Sequence, residues 1–143
     1  MTPDQRKAVV AEARTWERTP YHDHGNVKGA GADCALFPLH VYRRVLALPE
    51  IQIPKYQQQW HLHHSEELYL NYVRALGAIE ISAPDSGDFV LWRIGRVYSH
   101  GAIVIAWPRI IHAVNPRGVI QGDASIDEKM SRTAVSKPLF FTF

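Results

Sequence analysis

Cys34, His100 and His112 are the residues of this chain whose types and order could do covalent chemistry. Cys34 is the single cysteine and stands in GAGADCALFPLH, directly after Asp33 and a run of glycine and alanine. A thiol attacks a carbonyl as the thiolate, which a helix N-terminus and a nearby imidazole stabilise. Turn formers before Cys34 and an apolar helical pattern after it predict such a helix start. A lone cysteine is also a small apolar residue that fills a core, so it reads as a nucleophile only with partners. YSHGAIVI and RIIHAV supply candidates. Each holds a histidine in an otherwise apolar run, where an imidazole is costly unless its nitrogens are paired. In the functional reading His100 accepts the thiol proton and His112 fixes its tautomer and orientation. In the structural reading each is a strand-end histidine bonded to backbone.

Strand register separates these readings. A plain two-residue turn at Trp107-Pro108 would set His112 opposite Ile103, facing away from His100. Placement on one face requires His112 opposite Ala102, diagonal to His100 at about 7 Å between Cα atoms. The triad therefore predicts a three-residue connection, Ala106 to Pro108, or a bulge in this hairpin.

The elements that must position these residues follow from pattern. Thr2, Pro3 and Gln5 form a helix start, and Ala8, Val9, Ala11, Ala13 and Trp16 continue it to about Glu17. TPYHDHGNVKGAGAD reads as a loop leading to Cys34. A second helix carries Leu36, Leu39, Tyr42, Val45 and Leu46 inward until Pro49 stops it. PEIQIPKYQQQWHLHH has no clean period and reads as an irregular connection packed by Tyr56 and Trp60. Ser65 then caps a third helix with Leu68, Tyr69, Tyr72, Val73 and Leu76 inward and Gly77 as its stop. DFVLW, HGAIVIAW, RIIHAV, GVIQGD and KPLFFTF read as five short strands. Helices followed by antiparallel strands predict an α+β fold with the helices on one side.

Composition narrows the class. With 143 residues, 46% hydrophobic and 21% charged, the chain fits one globular domain, 1–143. A net charge of +2 gives no argument for nucleic acid or an anionic membrane, and no span or secretory leader is apparent in the pattern. One cysteine excludes an internal disulfide and a multi-cysteine zinc site. HDH at 22–24 and HLHH at 61–64 lack the helical HExxH pattern, so solvated or loop-bonded histidines are expected there.

GADCAL, YSHGAIVI and IIHA, in that order and with the histidines twelve residues apart, resemble the NlpC/p60-type cell-wall peptidases. These are papain-like cysteine enzymes of bacteria and their phages. RTPYHDHGNVKGAGADC is similar to the loop before that family's nucleophile, and PDSGDFVLW to the strand before its histidine. IPKYQQQWHLHHSEELYL resembles a phage-tail branch found in tail-associated and gene-transfer-agent peptidases. The resemblance implies a papain-like α+β fold, with N-terminal helices packed on an antiparallel five-stranded sheet. It implies Cys34 as nucleophile, His100 as general base and acid, and His112 as the orienting residue. Tyr21 matches the family's tyrosine upstream of the nucleophile, Asp33 matches an acid that binds a stem-peptide amine, and Ser99 joins them as a substrate-binding candidate. Asp33 is equally suited to cap the helix.

The implied activity is hydrolysis of peptidoglycan stem peptides, at the bond from D-glutamate to a diamino acid, without a cofactor. Expected partners are the stem peptides and proteins of a phage tail or tail-like particle, with no nucleic acid and no membrane span. The expected place is a virion or tail-like particle after synthesis in a bacterial cytoplasm. The family has Ser-Gly after the cysteine where this chain has Ala35-Leu36, and Pro38 predicts an irregular first turn. These departures leave two alternatives open: a tail-tip structural or adaptor subunit with weak or no activity, and a papain-like amidase or acyltransferase.

Overall fold

A capping box opens the chain. Thr2 Oγ1 accepts from the Gln5 amide at 3.2 Å and Gln5 Oε1 accepts from the Thr2 amide at 2.8 Å, starting α1 (Pro3–Arg14). The expected helix ran on to Glu17. Instead the amides of Thr15, Trp16 and Glu17 turn to carbonyls three residues back, and the Thr15 hydroxyl donates to Glu12 O at 2.7 Å. This tighter turn carries Trp16 into the core, where it is fully buried. The computed structural model describes residues 1–50, 67–127 and 136–143.

The loop after Trp16 is built, not loose. It contains a small antiparallel pair, β1 (Asn26–Val27) with β2 (Gly31–Ala32), and Tyr21 bridges Ala32. Gly25 lies so close to the second strand that a Cβ there would stand 2.5 Å from the Gly31 carbonyl carbon. α2 (Leu36–Leu46) follows and ends on Ala47 in the left-handed region, φ 52°. α3 (Leu68–Ala75) follows Glu67 and stops before Gly77, φ 86°. The expected Ser65 cap, the packing of Tyr56 and Trp60, the HLHH cluster and most of the tail-like segment lie outside the described residues.

Among the described residues six strands form one antiparallel sheet: β3 (Ile79–Ile81), β4 (Phe89–Ile94), β5 (Val97–Ala106), β6 (Arg109–Val114), β7 (Gly118–Asp123) and β8 (Leu139–Thr142). Their order is β3-β8-β4-β5-β6-β7. The five strands expected from sequence are β4 to β8, so the count of five is corrected to six. The added strand is a three-residue edge, too short to show a period, and it owes its pairing to β8.

Alternation distributes side chains between two cores. Phe89, Leu91, Ile103, Ile105, Ile111 and Ala113 face the helices and pack with Val9, Phe37, Tyr42 and Val73. Val90, Trp92, Ala102, Val104 and Ile110 form a second cluster with Phe140 against it. Both faces of the central strands are thus covered, which is why DFVLW and GAIVIA read as nearly unbroken apolar runs.

One buried ion pair ties α1 to the start of β4. Arg6 Nη1 donates to Asp88 Oδ1 at 2.7 Å and to Ser86 O at 3.0 Å, and Asp88 Oδ2 accepts from the Asp85 amide at 2.8 Å. Asp88 is fully buried, so removal of Arg6 strands its charge in the interior. Arg6→Ala is expected to lower unfolding free energy by about 3 kcal/mol, read from urea unfolding followed by circular dichroism.

Candidate active site

Cys34 enters the site through the cap of its own helix. Asp33 O accepts from the Phe37 amide at 3.2 Å, and Asp33 Oδ1 accepts from the amides of Ala35 at 3.0 Å and Leu36 at 2.7 Å. Asp33 therefore acts as the cap of a turn that runs into α2, and Cys34 is the first residue after it. The expected irregular first turn is present, with regular helix beginning at Leu36. Asp33 Oδ2 accepts from the His24 amide at 3.0 Å, which binds the cap to the preceding loop. Three backbone donors thus occupy this carboxylate, which is 1% exposed. Capping is the role its contacts perform, and a substrate amine would feel its charge without displacing those donors.

The loop ahead of Cys34 is anchored at both ends. Arg18 N donates to Val119 O at 3.0 Å and Val119 N donates to Thr19 O at 2.9 Å, joining the loop to β7. At the other end Lys28 Nζ reaches Glu12 Oε1 at 2.8 Å and Thr15 Oγ1 at 2.6 Å. This frame sets Tyr21 beside Cys34, with its hydroxyl in hydrogen-bonding range of the thiol. Burial, with the negative charges of Cys34 thiolate, Asp33 and Asp23 nearby, pushes the phenol well above its ordinary value of 10. Tyr21 therefore stays a neutral donor wherever the thiol ionises.

Cys34 Sγ donates to the carbonyl of Ser99 at 3.5 Å, a residue that directly precedes His100. Ser99 owes that position to a bulge. Trp92 pairs with His100 while Arg93 pairs with Tyr98, so Ser99 is the extra residue of β5. Its hydroxyl donates to Ile94 O at 3.3 Å, and the carbonyl is the part of Ser99 that meets the thiol.

A second bulge brings the histidines together. Val104 pairs with Ile110 and Ala106 with Arg109, leaving Ile105 as the extra residue. The register Ile103 to Ile111, extended by one, sets His112 across from Ala102, as the triad requires. His100 Nε2 and His112 Nδ1 lie 3.0 Å apart, with both side chains almost wholly buried. The rings meet edge to face at 81°. Trp92 stands 6.0 Å from the His100 ring on the same side of the sheet. On β7, Gly122 lies so close to His112 that a Cβ there would stand 3.0 Å from Nε2.

The structure gathers the candidates Tyr21, Asp33, Cys34, Ser99, His100 and His112 along one line from the loop to β6. Sequence reading missed Tyr69, Gly101 and Gly122, which touch this line from α3, β5 and β7. Pro38 was the one local signal, since it lacks the amide that a fourth residue after Cys34 would offer. In the HDH loop, His22 Nδ1 bonds Asp23 O at 3.0 Å. Among the described residues no three His, Cys, Asp or Glu side chains are gathered to hold a metal ion. No described helix is long and apolar enough to cross a membrane.

No family model and no curated protein matches this sequence. Solved structures do match. The NlpC/p60 domain of the peptidoglycan hydrolase SagA is 24% identical with a TM-score of 0.61, over 96% of this chain and 97% of that one. A lipoprotein-like NLP/P60 protein of Staphylococcus aureus is 21% identical with a TM-score of 0.64, over 97% of this chain and 42% of that one. An NlpC/P60 family protein of Bacillus cereus is 16% identical with a TM-score of 0.65, over 94% of this chain and 39% of that one. The chain spans less than half the length of the latter two. It has the papain-like α+β fold of NlpC/p60 domains.

Proposed function

We propose that this chain is a cysteine peptidase that hydrolyses peptidoglycan stem peptides. The observation that carries the reading is the contact of the Cys34 thiol with the residue before His100, together with the His100–His112 hydrogen bond. Likeness in fold to a peptidoglycan hydrolase domain supports the substrate class.

The chemistry follows from the positions. His100 takes the thiol proton, and its other nitrogen, Nε2, then donates to Nδ1 of His112, which holds the ring and shares the imidazolium charge. The thiolate is favoured by the start of the helix and by the neutral Tyr21 hydroxyl. Attack on an amide carbonyl gives a tetrahedral oxyanion, stabilised by the Cys34 amide and the Tyr21 hydroxyl. His100 gives its proton to the leaving amine, and an acyl-enzyme remains. Water, deprotonated by His100, then releases the carboxylate and restores the thiol.

For the scissile bond we propose the amide from D-glutamate to the diamino acid, with Asp33 contributing negative charge near a free substrate amine. A place on a phage tail or tail-like particle belongs to the same proposal and rests on the resemblance of residues 53–70. The adaptor-subunit reading draws on Ala35-Leu36 and Pro38. It predicts no turnover on any wall substrate, while an amidase or acyltransferase would turn over a different one.

Purified muropeptides incubated with the protein should show new amines by mass spectrometry at the glutamyl bond, and none with Cys34→Ala. Absence of cleavage by the unaltered protein would overturn the peptidase reading. His112→Ala should reduce kcat by about two to four orders of magnitude with KM nearly unchanged, because an orienting group acts on the transition state. Gly122→Val forces a side chain against His112 Nε2 and should lower kcat/KM by about tenfold or more. An unaltered rate in that variant would show that the His112 ring needs no such room.

A further inference from the structure

In a regular helix the carbonyl of Cys34 would accept from the amide of residue 38, and residue 38 is a proline without that amide. A hydroxyl from elsewhere in the chain stands in its place. Tyr69 Oη, on α3, donates to Cys34 O at 2.9 Å and lies 3.3 Å from Ala35 O. Its ring is 4% exposed and packs 5.8 Å from that of Phe89, so the hydroxyl is delivered by a fixed body. We propose that Tyr69 is a positioning residue for the nucleophile. It supplies the hydrogen bond that Pro38 cannot, and so holds the peptide plane that carries Cys34.

β5 is shaped to admit that hydroxyl. A Cβ on Gly101 would stand 2.2 Å from Tyr69 Oη and 2.7 Å from Phe89 Cζ. Side chains alternate along the strand, so His100 points to one face while Gly101 opens the other to Tyr69. Two adjacent residues of one strand thus serve the proposed base and the seat of the proposed nucleophile. The Ala35-Leu36 departure is accommodated by the same contact, since Tyr69 bonds backbone and asks nothing of those side chains. With the plane released, Sγ would lose its fixed place between the Ser99 carbonyl and the Tyr21 hydroxyl, and the thiolate would lose stabilisation.

The inference rests on the peptidase reading for its purpose, but its test needs no wall substrate. Cys34 is the single cysteine, so iodoacetamide uptake measured against pH reports on this thiol alone. Tyr69→Phe keeps the ring and removes the hydroxyl. Its alkylation at pH 7 should slow by about five- to tenfold, the scale of one hydrogen bond, and its pH midpoint should move up. Pro38→Ala restores an amide at position 38, so in Tyr69→Phe/Pro38→Ala the midpoint should return to that of the unaltered protein. A purely structural role for Tyr69 predicts a lowered Tm and no such return. Alkylation of Tyr69→Phe that matches the unaltered protein at every pH would overturn the proposal on the single variant alone. Failure of wall-peptide hydrolysis in the unaltered protein would overturn the peptidase reading and leave the alkylation result standing.

Discussion

One extra residue, Ile105, decides whether His100 and His112 meet. Side chains on a strand alternate between faces, so a register shift of one residue moves every one of them to the opposite side. With the plain hairpin, His112 would join the helix-facing core and His100 would lie alone on the other face. The bulge absorbs the mismatch before the strands reach the histidines, and their nitrogens meet at 3.0 Å. The bulge at Ser99 completes the arrangement by bending β5 where the thiol meets its carbonyl. A single strand with a bulge on each side of His100 is thus aimed twice, once toward β6 and once toward the start of α2.

The turn that carries Cys34 rests on backbone hydrogen bonds supplied from a distance. Asp33 caps the turn, His24 holds Asp33, and the loop carrying them is fastened to β7 and to α1. Tyr69 holds the turn from the opposite side, reaching Cys34 O past a glycine. Proline four residues after a cysteine would be a defect in an isolated helix. Here it coincides with a donor aimed at the carbonyl it leaves, which is the kind of agreement between distant elements that marks a specified structure.

Burial gives the histidine pair its chemical weight. Two imidazoles out of water are costly unless they bond one another, and once bonded they order each other's tautomers. Phenol burial acts in the opposite sense on Tyr21: it removes any tendency to ionise and leaves a permanent donor next to the thiol. A neutral donor and two hydrogen-bonded rings suit the thiolate proposed for Cys34, and no metal-ligand set is gathered among the described residues.

Much of this was legible in the linear chain, for local reasons. The capping box at Thr2, the apolar spacing of α2 and α3, and the β-branched runs of β4 to β7 are short-range patterns that name their own elements. The order Cys34, His100, His112 named candidate residues, and alternation reduced their convergence to whether a bulge exists. Two things needed the tertiary structure. The edge strand β3 is too short to declare itself and exists by pairing with β8, at the other end of the chain. The contacts of Tyr69 with Cys34 and with the space at Gly101 join residues 32 to 35 apart in sequence, and the space at Gly122 lies between neighbouring strands. Sequence by itself determined which residues could react and which elements would carry them, because those depend on periodicity and residue chemistry. Only the folded chain decided that they converge, because convergence depends on register and on contacts between elements that no local pattern encodes.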